Sequence, residues 1–415
     1  MPKSRKPPAP IRKIALWGNF GTQNLGNECT LAAMRHNLRQ RLPDAEQFCI
    51  CPEPRDTELR HQIKAVPMRA VANATATART ALPRPLRILR RLVAECAGWL
   101  RAAAVMRDAD ALIIVGTGIM SDSGEGALGF PYELFKWSLL AWLNGGNVLF
   151  VSVGVEEMTR PLTRFFLKAA FHLADYRSCR DANSKHLMQA IGFPGEGDKV
   201  YPDVAFSLPT GAASAVTTVR MKRKVVAIGI YNYLDRGSAG GDSALAYGAY
   251  IHAICSFITW LLRRGYSVRV IIGDYAYDRT VVADVRAALL ASGEQLEPEL
   301  YADEPASSFE QLIEQIKSVD LVVASRFHNV LLSLMLAKPV LSVSYDAKNE
   351  ELMGQVGLTR YCQALDRLDV ARLLIQFQEL EQQAPTLRSS IRTKTSQFRV
   401  SLDEQYDLIQ RAANF

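Results

Sequence analysis

The stretch 321–328, which reads Leu-Val-Val-Ala-Ser-Arg-Phe-His, decides the fold. Its four apolar residues predict a buried strand, and the apolar-rich residues 329–336 predict a helix. A strand that runs directly into a helix is typical of an α/β protein, in which helices cover a parallel sheet. Free backbone N–H groups and the positive end of the helix dipole favour an anion at such a turn. Arg326 adds a fixed charge there and His328 adds a titratable proton, so the turn is a candidate functional site.

The alternation of strand and helix continues along both halves of the chain. Strands are predicted at 13–18, 47–51, 111–115, 147–153, 176–178, 199–201, 225–230, 268–272, 299–302, 321–324 and 340–343. Helices are predicted at 28–42, 131–143, 162–174, 185–190, 244–264, 279–291, 308–318, 326–337 and 349–355. This order favours parallel sheets covered on both faces.

The chain has 415 residues and is too long for a single core, because cores stop growing at about 250–300 residues. Residues 208–220 are small and polar without periodicity, which is typical of an interdomain linker. We therefore predict an N-terminal Rossmann-like domain at 1–210 and a C-terminal one at 221–365. A charged helical extension at 366–415 is expected to pack back across a domain surface. Ligands of open parallel sheets bind outside the carboxyl ends of the strands, so a cleft between the two domains is expected.

Composition narrows the function classes. The seven cysteines lack paired metal-ligand spacing and are expected to be reduced, mostly buried thiols of a cytosolic protein. No uninterrupted apolar run of about 18 residues and no secretion signal are visible, so a cytoplasmic location is expected. The net charge of +7 suits an anionic substrate, nucleic acid or an anionic membrane face. No nucleic-acid recognition motif accompanies it, so no nucleic-acid partner is predicted.

Residues 84–107 mix large apolar side chains with six arginines. Two interpretations remain open for this segment. It is either an ordinary surface helix with an arginine face or an interfacial helix that lies near anionic lipid or a lipid diphosphate. The second interpretation would give the protein a peripheral contact with the inner face of a membrane.

Two glycine-containing loops follow predicted strands. The loop at 18–28 holds Asn24, Gly26, Asn27 and Glu28, and it is either a tight turn with Asn27 as the helix cap or a polar loop that binds sugar hydroxyls. The second loop contains the glycines Gly116 and Gly118 and continues into the polar, glycine-rich residues 121–126. A ligand could approach the backbone of this loop closely, but a structural loop is equally compatible with the pattern.

Charged residues stand at other strand ends. Arg180 precedes Asp181, which is predicted to cap a helix, and Arg180 is either a surface arginine or an anion ligand. Asp203 stands at a similar strand end and is equally ambiguous. Lys348 follows the strand after the 325–328 turn.

In this order the motifs resemble the polysaccharide pyruvyl transferase family over most of the chain. The matching segments are the loop at 18–28, Gly116-Thr117-Gly118, Ser152-Val153-Gly154-Val155, Arg180-Asp181 with Ser184, Pro202-Asp203, Ser325-Arg326 with His328, Lys338-Pro339-Val340, and Tyr345-Asp346 with Lys348. The sequence departs from the family pattern at Asn27, where aspartate is common, and at Thr117, where glycine is usual. These two departures bear on the acceptor rather than on the family.

The resemblance implies two Rossmann-like domains as in the GT-B glycosyltransferases, and transfer of a pyruvyl group from phosphoenolpyruvate onto two hydroxyls of one sugar. The product is a ketal in an exopolysaccharide or other cell-surface glycan. The C-terminal domain is expected to be the donor side, and the hypothesis for the chemistry is that His328 is the acid/base. Arg326, Arg180 and the helix start at Ser325 would bind the anionic groups. Arg326 is thereby a catalytic candidate together with His328, and Lys348 is a further candidate for substrate binding.

The sugar or lipid-linked oligosaccharide acceptor would meet the N-terminal domain. Asn24 and Glu28 are expected to bind its hydroxyls. Gly26, Gly116, Gly118 and Asp203 are further candidates for substrate binding. No cofactor besides the donor substrate is implied, and no ligand cluster indicates a metal.

Two other functions fit the same architecture. One is a GT-B glycosyltransferase that uses a nucleotide sugar, since a fold does not determine its chemistry. Retaining enzymes of that class often carry two glutamates eight residues apart, and no acidic pair has that spacing between residues 300 and 360. The other is a non-catalytic carbohydrate-binding relative, against which the joint presence of Arg180, Arg326 and His328 argues.

Overall fold

A computed structural model describes residues 12–69, 84–116, 118, 120–121, 126–195, 197–209, 223–233 and 241–412. The chain forms two compact units. The first unit comprises Met1–Thr22, Thr30–Val204 and Asp403–Phe415, and the second comprises Gln23–Cys29 and Ala205–Leu402. Each unit is built on its own parallel sheet.

Within the described residues, the sheet of the first unit has seven parallel strands in the order β3-β2-β1-β4-β5-β6-β7. The strands are β1 Lys13–Trp17, β2 Glu46–Cys51, β3 Ala65–Pro67, β4 Ala111–Val115, β5 Asn147–Val153, β6 Tyr176–Cys179 and β7 Lys199–Val200. The helices are α1 Leu25–Arg41, α2 Pro54–His61, α3 Arg84–Arg107, α4 Phe130–Leu143, α5 Pro161–His172 and α6 Ala182–Ala190. All five side chains of β4 are buried, because helices cover both faces of the sheet.

The sheet of the second unit has six parallel strands in the order β10-β9-β8-β11-β12-β13, counted over the same described ranges. They are β8 Val225–Gly229, β9 Ser267–Ile271, β10 Tyr301–Ala302, β11 Leu321–Ala324, β12 Val340–Ser344 and β13 Cys362–Ala364. The helices are α7 Gly241–Arg263, α8 Tyr275–Ala291, α9 Phe309–Lys317, α10 Phe327–Met335, α11 Ala347–Gln355, α12 Val370–Gln382 and α13 Ala384–Ala412. Both strand orders reverse beside the first strand of the sheet, as in Rossmann folds, and that reversal point is where such sheets bind ligands.

The predicted fold class, two α/β domains with parallel sheets, is confirmed. The predicted strands at 111–115, 147–153 and 321–324 have the observed bounds. The strand expected at 299–302 is reduced to Tyr301–Ala302. The sequence analysis did not identify β3, β13 and the helix α2, because short segments show too little hydrophobic periodicity to be recognised.

Of the two interpretations of the 18–28 loop, the one with Asn27 as the helix cap is wrong in its choice of residue. The helix α1 begins at Leu25, and the Asn24 side chain accepts a hydrogen bond from the Asn27 backbone N–H at 3.2 Å. Asn24 therefore acts as the cap, and the helix begins three residues earlier than expected.

The two units also differ from the sequence-based division at two places. Residues Gln23–Cys29 group with the second unit, because an antiparallel bridge joins Asn24 to Asp274. The last part of α13, from Asp403, groups with the first unit rather than forming a separate extension. Several predictions lie outside the described residues, namely the basic N-terminal tail, most of the linker, Thr117 and the loop at 122–125.

Among the described residues, one helical stretch, Ala244–Arg263, is long and apolar enough to cross a membrane by length and composition alone. Of its most apolar window, 44% is buried inside the protein. A core helix of a globular domain passes the same test, so this single helix is weak support for a membrane span.

A buried amide joins the end of α13 to the sheet of the first unit. The Gln405 side chain donates hydrogen bonds to Ser178 Oγ at 2.7 Å and to Ser152 Oγ at 3.0 Å. Ser152 has a φ of +46°, a left-handed backbone conformation that is strained for a residue with a side chain. Its N–H donates to Ser178 Oγ at 2.8 Å, so the three side chains hold the irregular end of β5 together.

We predict that Gln405→Ala lowers the free energy of unfolding by about 1–3 kcal/mol, because it leaves two buried hydroxyls without their partner. Chemical denaturation would measure this loss. The matched control is Gln397→Ala on the same helix, where the side chain is exposed and the change should be near neutral. Equal stability of the two variants would contradict the structural role of Gln405.

Candidate functional site

An ion pair organises the carboxyl ends of the strands in the second unit. Arg326 donates from Nε and Nη2 to the two carboxylate oxygens of Asp278, at 2.9 and 2.6 Å. Asp278 is fully buried and also accepts hydrogen bonds from the backbone N–H groups of Asn232, Gly273 and Asp274. Burial opposes the charged guanidinium, but the carboxylate of Asp278 outweighs it and raises the pKa of Arg326. The carboxylate thus fixes Arg326 as a permanent, oriented cation.

Two stacked tyrosines lie between this arginine and a lysine. The Arg326 guanidinium lies 4.5 Å from the ring centroid of Tyr231. The rings of Tyr231 and Tyr345 stack with centroids 4.1 Å apart and planes inclined by 7°. Lys348 Nζ lies 5.7 Å from the Tyr345 centroid and pairs with Asp346 at 3.0 Å. The ends of β8, β11 and β12 therefore bring two cations and two aromatic faces together.

The segment Gln23–Cys29 is held on the same unit by backbone and side-chain bonds. The N–H of Leu25 donates to the carbonyl of Gly273 at 3.0 Å, and Asn24 Nδ2 donates to Asp274 at 3.0 Å. Both polar groups of the Asn24 amide are therefore engaged within the chain. Its role as a ligand for sugar hydroxyls stays a prediction, as does that of Glu28, which is 1% exposed.

Asp274 is a buried carboxylic acid that the sequence analysis did not identify. It caps α8 by accepting hydrogen bonds from the N–H groups of Ala276 and Tyr277, both at 3.2 Å. Burial raises its pKa to about 6, the nearby carboxylate of Asp278 acts in the same direction, and Arg326 opposes the shift. A carboxyl group with that pKa changes its charge near neutral pH.

The lack of a side chain at Gly26 makes room for His328. A Cβ atom at residue 26 would overlap Nδ1 and Cγ of the imidazole, so any residue other than glycine would displace the ring. His328 lies in the first turn of α10 and is half-buried. Gly26 thus lets the histidine approach the backbone, and its predicted contact with a ligand stays a prediction.

The helix α10 begins after Arg326 without a side-chain cap. Its first N–H groups and its dipole therefore favour an anion at this end. Ser325 is 1% exposed, and its N–H donates to the carbonyl of Gly229 at 3.0 Å. Ser325 thus extends the pairing between β11 and β8, and its predicted contact with substrate stays a prediction.

The first unit contains a separate group of predicted site residues at the ends of β4 to β7. Arg180 is 6% exposed and lies 3.3 Å from Asp181 and 3.5 Å from Asp203. Burial opposes its charge, but the carboxylates of Asp203 and Asp181 prevail and raise its pKa. A Cβ atom added at Gly118 would lie 3.4 Å from Nη2 of Arg180. A Cβ atom added at Gly154 would overlap the guanidinium.

The predicted site residues therefore fall into two groups. The second unit holds Asn24, Gly26, Glu28, Ser325, Arg326, His328 and Lys348, and the first holds Gly116, Gly118, Arg180 and Asp203. The sequence analysis missed Asp274, Asp278 and Tyr231, although Asp274 follows the predicted strand at 268–272 and this position was a usable signal. Among the described residues, no group of three or more His, Cys, Asp or Glu side chains is arranged to hold a metal ion.

We predict that Gly26→Ala lowers the free energy of unfolding by about 1–3 kcal/mol, because the new methyl group must displace the His328 ring. Chemical denaturation would measure the effect. The control is Gly248→Ala in α7, where a Cβ meets nothing within 4 Å and the change should be neutral or stabilising. A Gly26→Ala variant as stable as this control would show that the ring does not occupy that space.

The raised pKa of Asp274 predicts a pH-dependent stability. Its folded-state pKa of about 6 exceeds the ordinary 3.8, so between these values the folded state binds a proton that the unfolded state has released. The contribution of Asp274 to the free energy of unfolding should then fall as pH rises through this window. Denaturation of the wild type and Asp274→Asn across the window would isolate it, since the variant loses this slope.

Asp44→Asn, at an exposed position of the first unit, is the control and should keep the wild-type pH dependence. If wild type and Asp274→Asn showed identical slopes, Asp274 would not titrate as described.

Three solved structures that resemble this chain carry sugar nucleotides or nucleotide products in their names. UDP-GlcNAc 2-epimerase from Neisseria meningitidis bound to UDP-GlcNAc aligns with 10% identity and a TM-score of 0.60, over 96% of this chain and 100% of that one. A UDP-forming α,α-trehalose-phosphate synthase from Burkholderia xenovorans aligns with 10% identity and a TM-score of 0.55, over 97% and 98% of the chains. UDP-GlcNAc 2-epimerase from Methanocaldococcus jannaschii aligns with 9% identity and a TM-score of 0.52, over 88% and 91%.

At these identities the likeness establishes the GT-B-like fold alone. No curated protein matches the sequence significantly. The family model for polysaccharide pyruvyl transferase, by contrast, matches residues 24–347, which include every site residue of the two groups except Lys348. The resemblance inferred from the motifs is therefore confirmed, and the chain belongs to the polysaccharide pyruvyl transferase family.

Proposed function

We propose that this transferase moves the pyruvyl group of phosphoenolpyruvate onto two hydroxyls of one sugar, forming a ketal in an exopolysaccharide or other cell-surface glycan. One observation carries the proposal. In a chain of this family, two cations and an uncapped helix start lie beside a histidine at the strand ends of the second unit. The reaction is proposed to take place in the cytoplasm.

The donor carries a carboxylate and a phosphate, so its binding needs at least two cationic or N–H-rich positions. Arg326 uses Nε and Nη2 for Asp278. Among the described residues Nη1 donates no hydrogen bond, so this nitrogen can point to an anion. Lys348 and the start of α10 would take the other anionic group. Arg180 in the first unit is proposed as a further anion ligand, although its two carboxylate partners already satisfy much of its charge.

The reaction needs an acid, and His328 is the proposed one. The acid donates a proton to the methylene carbon of phosphoenolpyruvate, which becomes a methyl group, and positive charge develops at the adjacent carbon. One sugar hydroxyl attacks that carbon, the bond to phosphate breaks, and the second hydroxyl closes the ketal. The two hydroxyl protons end, in net balance, one on the methyl group and one on the released phosphate. The base form of His328 left by the first step can accept one of them.

We expect His328→Ala to lower acceptor-dependent phosphate release by about 10²–10⁴-fold, the range typical of general acid–base residues. The assay combines purified protein, phosphoenolpyruvate and a panel of sugar acceptors, both free and lipid-linked. The control is His252→Ala, an exposed histidine of the same unit, which should keep wild-type turnover. Near-normal release by a folded His328→Ala variant would exclude the acid role.

We expect Arg326→Lys to lower kcat/KM for phosphoenolpyruvate by about 10- to 100-fold, because a lysine keeps the charge but cannot bond Asp278 and the donor at once. The control is Arg279→Lys, because Arg279 is exposed and directly follows Asp278 in the sequence; this variant should keep the wild-type kcat/KM. An Arg326→Lys enzyme with unchanged kcat/KM would show that the oriented fork is dispensable.

The same assay separates the proposal from a glycosyltransferase that uses a nucleotide sugar. Phosphoenolpyruvate should raise the melting temperature of the protein, because a ligand that binds only the folded state stabilises it. If phosphoenolpyruvate neither raised it nor released phosphate with any acceptor, while a nucleotide sugar did raise it, the proposal would be overturned. The solved structures named above favour neither chemistry, since they share the fold alone.

A further inference from the structure

Residues 88–94 of α3 form an unpacked stretch of helix on the surface of the first unit. Every side chain from residue 88 to residue 94 is exposed. The exposed residues include Leu89 at 56%, Leu92 at 58% and Val93 at 60%. In contrast, the second half of the helix packs on the core through Ala102 and Met106, both fully buried. A half-helix with several exposed large aliphatic residues is unusual on a protein that has no partner there.

The exposed apolar residues form a broad face of α3, on which Ile88 and Leu92, each 58% exposed, lie toward the side of the helix that carries Met106. The other five are spaced by three, four, three and four residues, at Leu86, Leu89, Val93, Cys96 and Leu100. This spacing produces a continuous stripe along one side of a helix. Ala102 and Met106 follow Leu100 by two and six residues, which turns the helix by about 200° and about 240°. The stripe therefore faces away from the side of the helix that packs on the core.

The rest of the helix surface is strongly basic. The segment contains six arginines and one glutamate, which leave a net charge of +5. That glutamate, Glu95, is engaged, since it accepts from Tyr132 at 2.7 Å and pairs with Lys136 at 3.3 Å. The exposed Arg90 and Arg91 have no acidic partner among the described residues. An apolar stripe beside unpaired arginines is the pattern of a helix that lies in a membrane interface.

A neighbouring helix continues the same surface. The helices α3, α4 and α5 contribute to one hydrophobic core cluster and so cover the same face of the sheet. Side chains of α4 bridge the outer two, because Trp99 donates to Tyr132 at 2.8 Å and the Tyr132 ring lies 5.3 Å from that of Phe166. On α5, Leu162 is 46% and Phe165 59% exposed. An aromatic residue beside leucines suits the boundary between acyl chains and headgroups.

We propose that the exposed face of α3, together with Leu162 and Phe165 of α5, binds an anionic phospholipid membrane. The leucines insert among the upper acyl chains, and the arginines bind the lipid phosphates. A second copy of the chain is a poorer occupant, because the paired helices would bring two arginine-rich surfaces of the same sign together. The proposal does not depend on pyruvyl transfer, although membrane binding would bring the enzyme to a lipid-linked acceptor.

Vesicle co-sedimentation of the full-length protein tests this. The vesicles are phosphatidylcholine alone and phosphatidylcholine mixed with phosphatidylglycerol, at low and high salt. We expect binding to the anionic vesicles only, weakened by salt. Arg90→Gln with Arg91→Gln should reduce the partition coefficient on the order of 30-fold, from about fivefold for each charge. Leu89→Ser with Leu92→Ser should reduce it by roughly tenfold for each leucine.

The controls carry the same changes elsewhere on the surface. Leu59→Ser, at a leucine 81% exposed on α2, and Arg367→Gln with Arg372→Gln near α12 should bind as the wild type does. Failure of the wild type to bind anionic vesicles at low salt would overturn the proposal, as would equal losses in test and control variants. Analytical ultracentrifugation without vesicles gives a further check. A dimer that dissociates in the leucine variant would assign the face to self-association and overturn the membrane proposal.

Discussion

The buried ion pair between Arg326 and Asp278 is the interaction on which the second unit's site depends. A carboxylate buried away from water destabilises the folded state strongly unless hydrogen-bond donors surround it. Asp278 accepts hydrogen bonds from three backbone N–H groups and from the guanidinium. Those N–H groups come from the ends of β8 and β9, while Arg326 follows β11. One side chain on α8 thereby fixes three strand ends relative to each other. The orientation of Arg326 over Tyr231 follows from it, and so does the start of α10 that positions His328.

Glycines near the two sites leave space for the arginine and histidine side chains that lie against them. Gly26 leaves space for the His328 ring, and Gly154 leaves space for the Arg180 guanidinium. At residue 273 an added Cβ would lie 2.9 Å from Cγ of Arg326. In each case the absent side chain lets a functional group reach the end of a strand. Some glycines of the motifs in this protein are therefore needed because an arginine or histidine side chain occupies the adjacent space.

The two units share one arrangement, an arginine at the end of a strand held by acidic side chains, but the two arginines differ in their exposure. Each is a parallel sheet with an arginine after a strand, buried for Arg180 and partly buried for Arg326, and each arginine is held by carboxylates of its own unit. Arg180 is bonded to two aspartates and its side chain is 6% exposed, whereas Arg326 is bonded to one and its side chain is 16% exposed. Asp274 is a second acidic side chain near Arg326, so the two arginines differ mainly in their exposure. The proposal that the second unit binds the anionic donor uses the more exposed of the two arginines.

By itself the sequence determined the alternation of strands and helices, the two-domain α/β class and the family, and it marked the turn at 325–328 as a candidate functional site. These follow from local periodicity and from motifs that are contiguous in the chain. Only the tertiary structure decided that Asn24, and not Asn27, caps α1 and that residues 23–29 lie beside His328. It alone revealed Asp274 and Asp278, which lie about 50 residues before Arg326 in the chain. Their roles depend on burial and on partners far apart in sequence, and no local pattern records either property.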